Sequence, residues 1–412
     1  MNKRLIVIVL ILFSFQAVCA EEFYVTNAKT FVSPDSSYES LETFIDGAQG
    51  SLYISVYEFD SPHIADLVLS ALERGVDVEI ILEGSPVTGV SDVERGVIRK
   101  LQENGANVYF DANEDFGFFH PKYSVADNDT VLIVSENFGG TGFSKDNSYG
   151  NRGWGVVIED HELAMYFVDI FFDDLSETKE ASVTGGFYGY SALKGAYKPK
   201  IDSRVFSGFF TLDTVVAPEN AVYEILELLD SAEKSIYIEQ FYIYKYWGTR
   251  KEGSVETSPN LFLEAAIAAA RRGVDVKILL DSTWYNIESY DPVSNYNTVR
   301  YVNEVASEEG LDLEARLIDL DKAGLVKLHN KGVVVDDNKV LLSSVNWNEY
   351  SPTRNREVGV IIEGDVAQYY SDAFLLDWYG AEDGVSRTSI VIVVVSAFVG
   401  LIFIYSVRRK KT

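Results

Sequence analysis

The sequence predicts an α/β protein made of two similar halves and followed by a membrane-crossing helix. Three observations carry that reading. First, IDGAQGSLYI (Ile45 to Ile54) matches LDSAEKSIYI (Leu229 to Ile238), and Pro34 matches Pro218, both at an offset of 184. Second, ALERGVDVEIILEGS (Ala71 to Ser85) matches AARRGVDVKILLDS (Ala269 to Ser282) at 198, and HPKYSVAD (from His120) matches HNKGVVVD (from His329) at 209. Blocks in the same order with a growing offset are the mark of a duplication whose loops have lengthened. Third, SIVIVVVSAFVGLIFIYSV (Ser389 to Val407) is an uninterrupted apolar run long enough to cross a bilayer as a helix.

Along the chain, Lys3-Arg4, the apolar stretch Leu5 to Phe15 and Val18-Cys19-Ala20 have the three regions of a secretory signal, so residues 1–20 are expected to be removed after Ala20. The first half, 21–175, carries a helix over Tyr38 to Ala48 and an alternating strand over Leu52 to Tyr57. A second helix ends at Arg74-Gly75, and a buried strand covers Val76 to Leu82. Glycine is the residue expected just past a helix C-terminus. The stretch 176–207, with Gly185, Gly186, Gly189 and Gly195, reads as the connection. The second half, 208–380, repeats the order with a helix over Ala221 to Ala232, a strand over Ile236 to Phe241, a helix ending at Arg272-Gly273 and a strand over Val274 to Leu280. A polar, aromatic-rich insertion lies around Lys245 to Pro259. Helices between strands, repeated, give an α/β sandwich with a parallel or mixed sheet in each half. A spacer, 381–388, precedes the apolar helix, 389–407. The basic tail, 408–412, is expected to stay cytoplasmic and leave the remainder outside the cell membrane.

Of the 412 residues, 47% are hydrophobic and 13% aromatic, ample for a large core. The formal charge is −28, and removing Lys3 and Arg4 with the leader, Arg387 and the four basic residues of the tail leaves −35 on the exported part. Such a surface repels phosphate backbones, so no general nucleic-acid binding is expected. Cys19 is the only cysteine and lies in the leader, so the exported part relies on its core rather than on disulfides.

The chemistry concentrates in the histidine frames. The chain has four histidines, and two of them, His120 and His329, each have a lysine two places on and an aspartate seven places on. Lys122 to Ala126, the turn Asp127-Asn128-Asp129 and Thr130 to Val134 read as a hairpin, as do Lys331 to Val335, Asp336-Asp337-Asn338 and Val340 to Ser343. His and Lys two apart on an extended segment share a face. Ser135 and Asn137 stand 15 and 17 residues beyond His120, and Ser344 and Asn346 stand at the same distances beyond His329. Of the other two, His63 reads as a loop residue and His161 as a helix-start residue, not as ligands.

This pattern resembles the phospholipase D superfamily, whose signature is a duplicated His-x-Lys with an aspartate five residues after the lysine and a Gly-Ser-x-Asn-like segment beyond. The likeness spans roughly Phe31 to Trp378. It assigns His120, Lys122, Asp127, His329, Lys331 and Asp336 to catalysis and Ser135, Asn137, Ser344, Asn346 and Glu357 to substrate binding. The signature glycine is replaced by Val134 and Ser343. Asn355-Arg356-Glu357 supplies an acid of the kind that orients a histidine, whereas Asn151-Arg152-Gly153 puts glycine there, which implies two histidines that are not equivalently activated.

The resemblance implies two α/β sandwich halves of phospholipase D type with the active site at their interface, complete in one chain. It also implies His120 as nucleophile and His329 as acid. A phosphodiester can be opened by one imidazole attacking phosphorus while another serves the leaving oxygen, with lysines holding the phosphoryl charge. No metal and no cofactor are required by this set. The expected partner is a phospholipid or other phosphodiester, with the membrane held through the C-terminal helix. An exported nuclease of the same superfamily and a non-catalytic binding ectodomain are the rival readings. Phe116, Phe118, Phe119, Trp247 and Trp284 either belong to the core or line an apolar mouth.

Overall fold

The computed structural model describes residues 20–146, 148–190, 196–248, 250–251 and 253–380. The expected leader (apart from Ala20), spacer, apolar helix and basic tail lie outside the described residues. Among the described residues no helix is long and apolar enough to cross a membrane.

The helices and strands expected from the duplication form within a residue or two of their places. Ser37–Gly47 and Ala221–Asp230 are the first matched helices, and Ser51–Val56 and Ser235–Gln240 the strands after them. Gly75 and Gly273 follow the next helices, Pro62–Glu73 and Leu261–Arg271, with φ of 89° and 98°. That left-handed conformation is open to glycine at no steric cost. His63 sits in the first turn of its helix, not in a loop, and its ring packs on Tyr190. His161 does open a helix, His161–Leu175.

The two halves are not separate sandwiches, because their sheets are joined into one mixed sheet of 15 strands. Its centre is a long antiparallel pair, Glu22–Ser33 with Arg204–Ala217, which the sequence reading had not marked as strands. From Glu22–Ser33 the sheet runs through Gly153–Glu159, Thr130–Val134, Lys122–Ala126 and Ser51–Val56 to Asp77–Leu82 and Asn107–Asp111. From Arg204–Ala217 it runs through the matched Glu357–Glu363, Lys339–Ser343, Lys331–Val335 and Ser235–Gln240 to Asp275–Leu280 and Leu313–Leu317. Part of the expected connection is itself sheet: Thr178–Glu180 closes the edge beside Asn107–Asp111, and Arg204 opens the central strand.

Alternation along each strand sends side chains into two apolar layers. Leu52, Ile54 and Val56 face the helices Ser37–Gly47 and Pro62–Glu73, while Tyr53 faces Phe171 on the helix His161–Leu175. The same division recurs in the second half around Ile236 and Ile238. One layer, containing Phe167, Phe171, Tyr370 and Phe374, draws on both halves, whereas the opposite layer of each half is built without the other.

Candidate active site

The two histidine frames meet where the halves cross-stitch. His120 N–H donates to the Arg356 carbonyl (2.9 Å), and Arg356 N–H donates to Phe118 (3.0 Å). By the same pattern His329 N–H donates to the Arg152 carbonyl (2.8 Å), and Arg152 N–H donates to Lys327 (2.9 Å). Each histidine is thus held by the Asn-Arg segment of the opposite half. That exchange brings Glu357, next after Arg356, onto His120: its Oε2 lies 2.7 Å from Nδ1.

Glu357 is wholly buried, and both of its oxygens are engaged. Oε1 accepts from Ser351 Oγ (2.5 Å) and Asn355 Nδ2 (3.0 Å). Burial pushes this carboxyl up, but the His120 ring, its hydrogen bond and Lys122 outweigh burial and hold it below the usual range. On His120, burial wins over the attraction of Glu357 and lowers the imidazole to about 4. The ring is therefore neutral at pH 7, with Nδ1 facing a carboxylate and Nε2 left to face a reactant.

Sequence reasoning missed the carboxylate of the second histidine. Glu136, between Ser135 and Asn137, places Oε2 3.2 Å from His329 Nδ1 and accepts from Asn151 Nδ2 at 2.9 Å. Burial raises the Glu136 carboxyl, against the opposing pull of Lys331 and the Asn151 bond. The His329 imidazole is lowered well below its ordinary value by burial and by Lys331, Lys327 and Lys122. The signal was available: the second copy has Val345 where the first has Glu136.

Lys122 and Lys331 are fully buried beside the rings, and their ammonium groups donate to the carbonyls of their own histidines at 3.0 and 2.6 Å. Burial lowers Lys122 to about 8 despite Glu357, Glu58 and Glu136. Burial and the neighbouring Lys122 lower Lys331 well below the ordinary lysine value. Matched aromatic residues wall the pair. Tyr57 packs on His120 (4.7 Å between ring centres) under Lys122, and Phe241 packs on His329 (4.8 Å) under Lys331. Two lysines and two imidazoles gathered in one buried cluster suit an anion that accepts hydrogen bonds on several oxygens and favours the charged form of each lysine.

The remaining sequence candidates divide. Ser344 Oγ donates to the Val358 carbonyl and lies against Glu357, and Ser135 Oγ accepts from Trp154 N–H. Both serines therefore brace the strands that carry or face the acids. Asn137 Nδ2 donates to Glu58 (2.7 Å) near the lysines, and Asn346 N–H donates to Ser351, the residue that holds Glu357. Phe119 belongs to the core, Trp247 is partly buried and packs against core residues, Phe116 lies under the Arg356 guanidinium, and Phe118 packs on Tyr57 near His120. Trp284 is 74% exposed.

Asp127 and Asp336 do not join the cluster. They lie at the opposite end of their five-residue strands from Lys122 and Lys331, about 16 Å along the chain. There Asp127 accepts from Gln49, Gly50 and Ser51 N–H, and Asp336 from Glu233, Lys234 and Ser235 N–H, at 2.7–3.0 Å. Burial pushes each carboxyl up, and the backbone donors more than reverse it, leaving both below the usual range. The spacing in the sequence was right, but the strand between lysine and aspartate carries the acid away from the histidine. Asp127→Ala is expected to cost about 1–2 kcal/mol of stability while leaving turnover per folded molecule within about 3-fold. A denaturant melt read beside initial rates checks both halves of that statement.

Comparison with known proteins agrees with this geometry. The family model described as "Cardiolipin synthase, PLD-like domain" matches residues 41–175 and 225–378, well over half of the chain. The chain belongs to that family. Among PLD-like relatives, the phospholipase D of Rickettsia typhi is 25% identical over 181 residues, covering 44% of this chain and 70% of the relative. Cardiolipin synthase 2 of Staphylococcus epidermidis is 22% identical over 356 residues, covering 82% and 65%. The solved phosphatidylserine synthase of Haemophilus influenzae shares the fold, with a TM-score of 0.59, 19% identity and 84% of each chain covered. This PLD-like chain is thus placed among the phosphodiesterases and phosphatidyltransferases of the superfamily.

Proposed function

We propose that the protein hydrolyses or transfers phosphatidyl groups through a phospho-histidine, at the outer face of a membrane in which residues 389–407 anchor it. The observation that supports this best is the convergence of two His–Lys–carboxylate sets in one buried cluster. The anchor-like segment and the acidic surface favour a phospholipid over DNA.

In the first step His120 Nε2 attacks phosphorus, a P–N bond forms and the P–O bond to the leaving alcohol breaks. The departing oxygen takes its proton from His329. In the second step His329 removes a proton from water or an acceptor alcohol, whose oxygen attacks phosphorus and releases His120. Lys122 and Lys331 hold the charge on the non-bridging oxygens throughout. Burial and then lysine repulsion keep His329 unprotonated, and the phosphodiester's own negative charge opposes both, so the acid gains its proton with the substrate that needs it.

The test uses the full chain in vesicles of phosphatidylcholine or phosphatidylglycerol, with chelator, with and without added alcohol, and single-stranded DNA in parallel. Head-group release, and exchange when alcohol is present, is the expected result. Cleavage of DNA alone would reassign the protein as a nuclease. A folded chain inert on every phosphodiester would make it a binding protein.

The pH profile follows from the same groups. His120 must be unprotonated to attack, and it is protonated only below about 4. Lys122 must be charged to hold the phosphoryl oxygens, and it loses its proton as pH rises through about 8. With substrate saturating, so that the bound phosphodiester holds His329 charged, kcat is expected to fall about tenfold per pH unit below about 4 and again above about 8. In Lys122→Arg, whose guanidinium stays charged, the residual activity should lose the alkaline fall due to this group. An unchanged alkaline limb in that variant would assign it elsewhere.

A further inference from the structure

Gly153 occupies the place where its matched residue, Glu357, carries the acid for His120. Each opens a strand, Gly153–Glu159 or Glu357–Glu363, and each is followed by a residue whose carbonyl accepts from the matched serine N–H, Ser135 to Trp154 and Ser344 to Val358, both at 3.0 Å. A side chain at 153 would have no room. A Cβ there would lie 2.6 Å from Glu136 Oε1, 2.7 Å from Glu136 Cγ and 2.8 Å from Ser135 Oγ.

In the second half the position matched to Glu136 is Val345, which is fully buried in apolar core. The acid has therefore changed places within one half. Where position 357 is glutamate its partner is valine, and where position 136 is glutamate its partner is glycine. The asparagines confirm the equivalence, since Asn355 Nδ2 donates to Glu357 at 3.0 Å and the matched Asn151 Nδ2 donates to Glu136 at 2.9 Å. Matched amides thus serve the two carboxylates, although one carboxylate opens a strand and the other follows one.

We infer that Glu136 is the positioning residue for His329, a transposed substitute for the acid that the first half lacks at position 153, and that Gly153 is glycine because Glu136 fills its side-chain space. This rests on the two-histidine reading above for its effect on rate. The acid lacking at position 153 is thus supplied from position 136, and the two histidines still differ in how closely their acids approach, 2.7 against 3.2 Å.

The test compares the native full chain with Glu136→Gln, Glu136→Val and the double variant Glu136→Val with Gly153→Glu, which copies the second half's arrangement into the first. Glu136→Gln keeps the shape and removes the charge. It should lower kcat by about 100-fold with KM changed little, at the lower end of what losing an acid beside a catalytic histidine costs. Glu136→Val should also shift the His329 tautomer balance, read from 15N resonances of labelled histidine. The double variant should regain at least about tenfold over Glu136→Val and restore the native tautomer signal.

A folded double variant no better than Glu136→Val would overturn the inference, as would unchanged kcat and an unchanged His329 signal on loss of Glu136. Should the double variant fail to fold, Glu136→Gln decides by its kcat and KM. If the native chain turns over no phosphodiester while the His329 signal still answers to Glu136→Val and recovers in the double variant, the positioning role stands and the enzymatic reading falls.

Discussion

Turnover of a phosphodiester is expected to fall by about 10⁴–10⁶-fold in His120→Asn, the range seen when an enzyme loses its nucleophile, with folding unchanged. The expectation rests on the asymmetry between the two acid–imidazole pairs. Glu357 lies 2.7 Å from His120, is braced by Ser351 and Asn355, and is held in its charged form. Glu136 lies 3.2 Å from His329, and burial drives it towards the neutral form. The imidazole backed by the firmer carboxylate is the better nucleophile, because the positive charge that develops on the ring as Nε2 attacks is offset where it forms. Rapid acid quench with a phosphorus-labelled substrate should place the label on His120 in the native chain and show none in His120→Asn. A label on His329 would exchange the two roles while keeping the two-step reaction.

The largest loss of stability is expected from Arg152→Ala. This guanidinium is 1% exposed and binds Asp377 through Nε (2.6 Å) and Nη2 (3.1 Å), and Asp35 (2.5 Å) and the Ser33 carbonyl (2.6 Å) through Nη1. It therefore joins the end of the central strand, the start of the first helix and the last described helix. Burial opposes its charge, but Asp377 and Asp35 outweigh burial and hold the group charged, well above its ordinary value. Truncation leaves two buried carboxylates without their cation, a loss of about 3–5 kcal/mol against a total of roughly 5–15 for a typical domain. Denaturant midpoints should show that loss in Arg152→Ala. Arg152→Lys should rescue little, because an ammonium cannot hold two carboxylates and a carbonyl in one fork. A change below about 1 kcal/mol would mean that water replaces the cation. The second half repeats the device, with Arg356 bound to Asp174 and Glu219, although Glu219 is partly exposed and the pairing correspondingly weaker.

Much of this was legible in the chain. The duplication located the helices and strands because each block carries its own periodicity and its own terminating glycine. His120, Lys122, His329 and Lys331 were legible because residues two apart on an extended segment share a face. The long central strands were not, since half of each is at least partly open to solvent and their partners lie about 180 residues away. The places of Asp127 and Asp336 were misread because fixed spacing in sequence does not say at which end of a strand a side chain acts.

What the sequence by itself determined, then, is local: which segments are helix or strand, and that two His–Lys hairpins exist. What only the tertiary structure decided is which carboxylate serves which imidazole. Glu357 reaches His120 because the Asn-Arg segment of one half pairs with the histidine strand of the other, and Glu136 reaches His329 because position 153 leaves it room. Such pairing depends on how the two halves pack across the central strands, a relation between residues more than 190 apart that no local periodicity records.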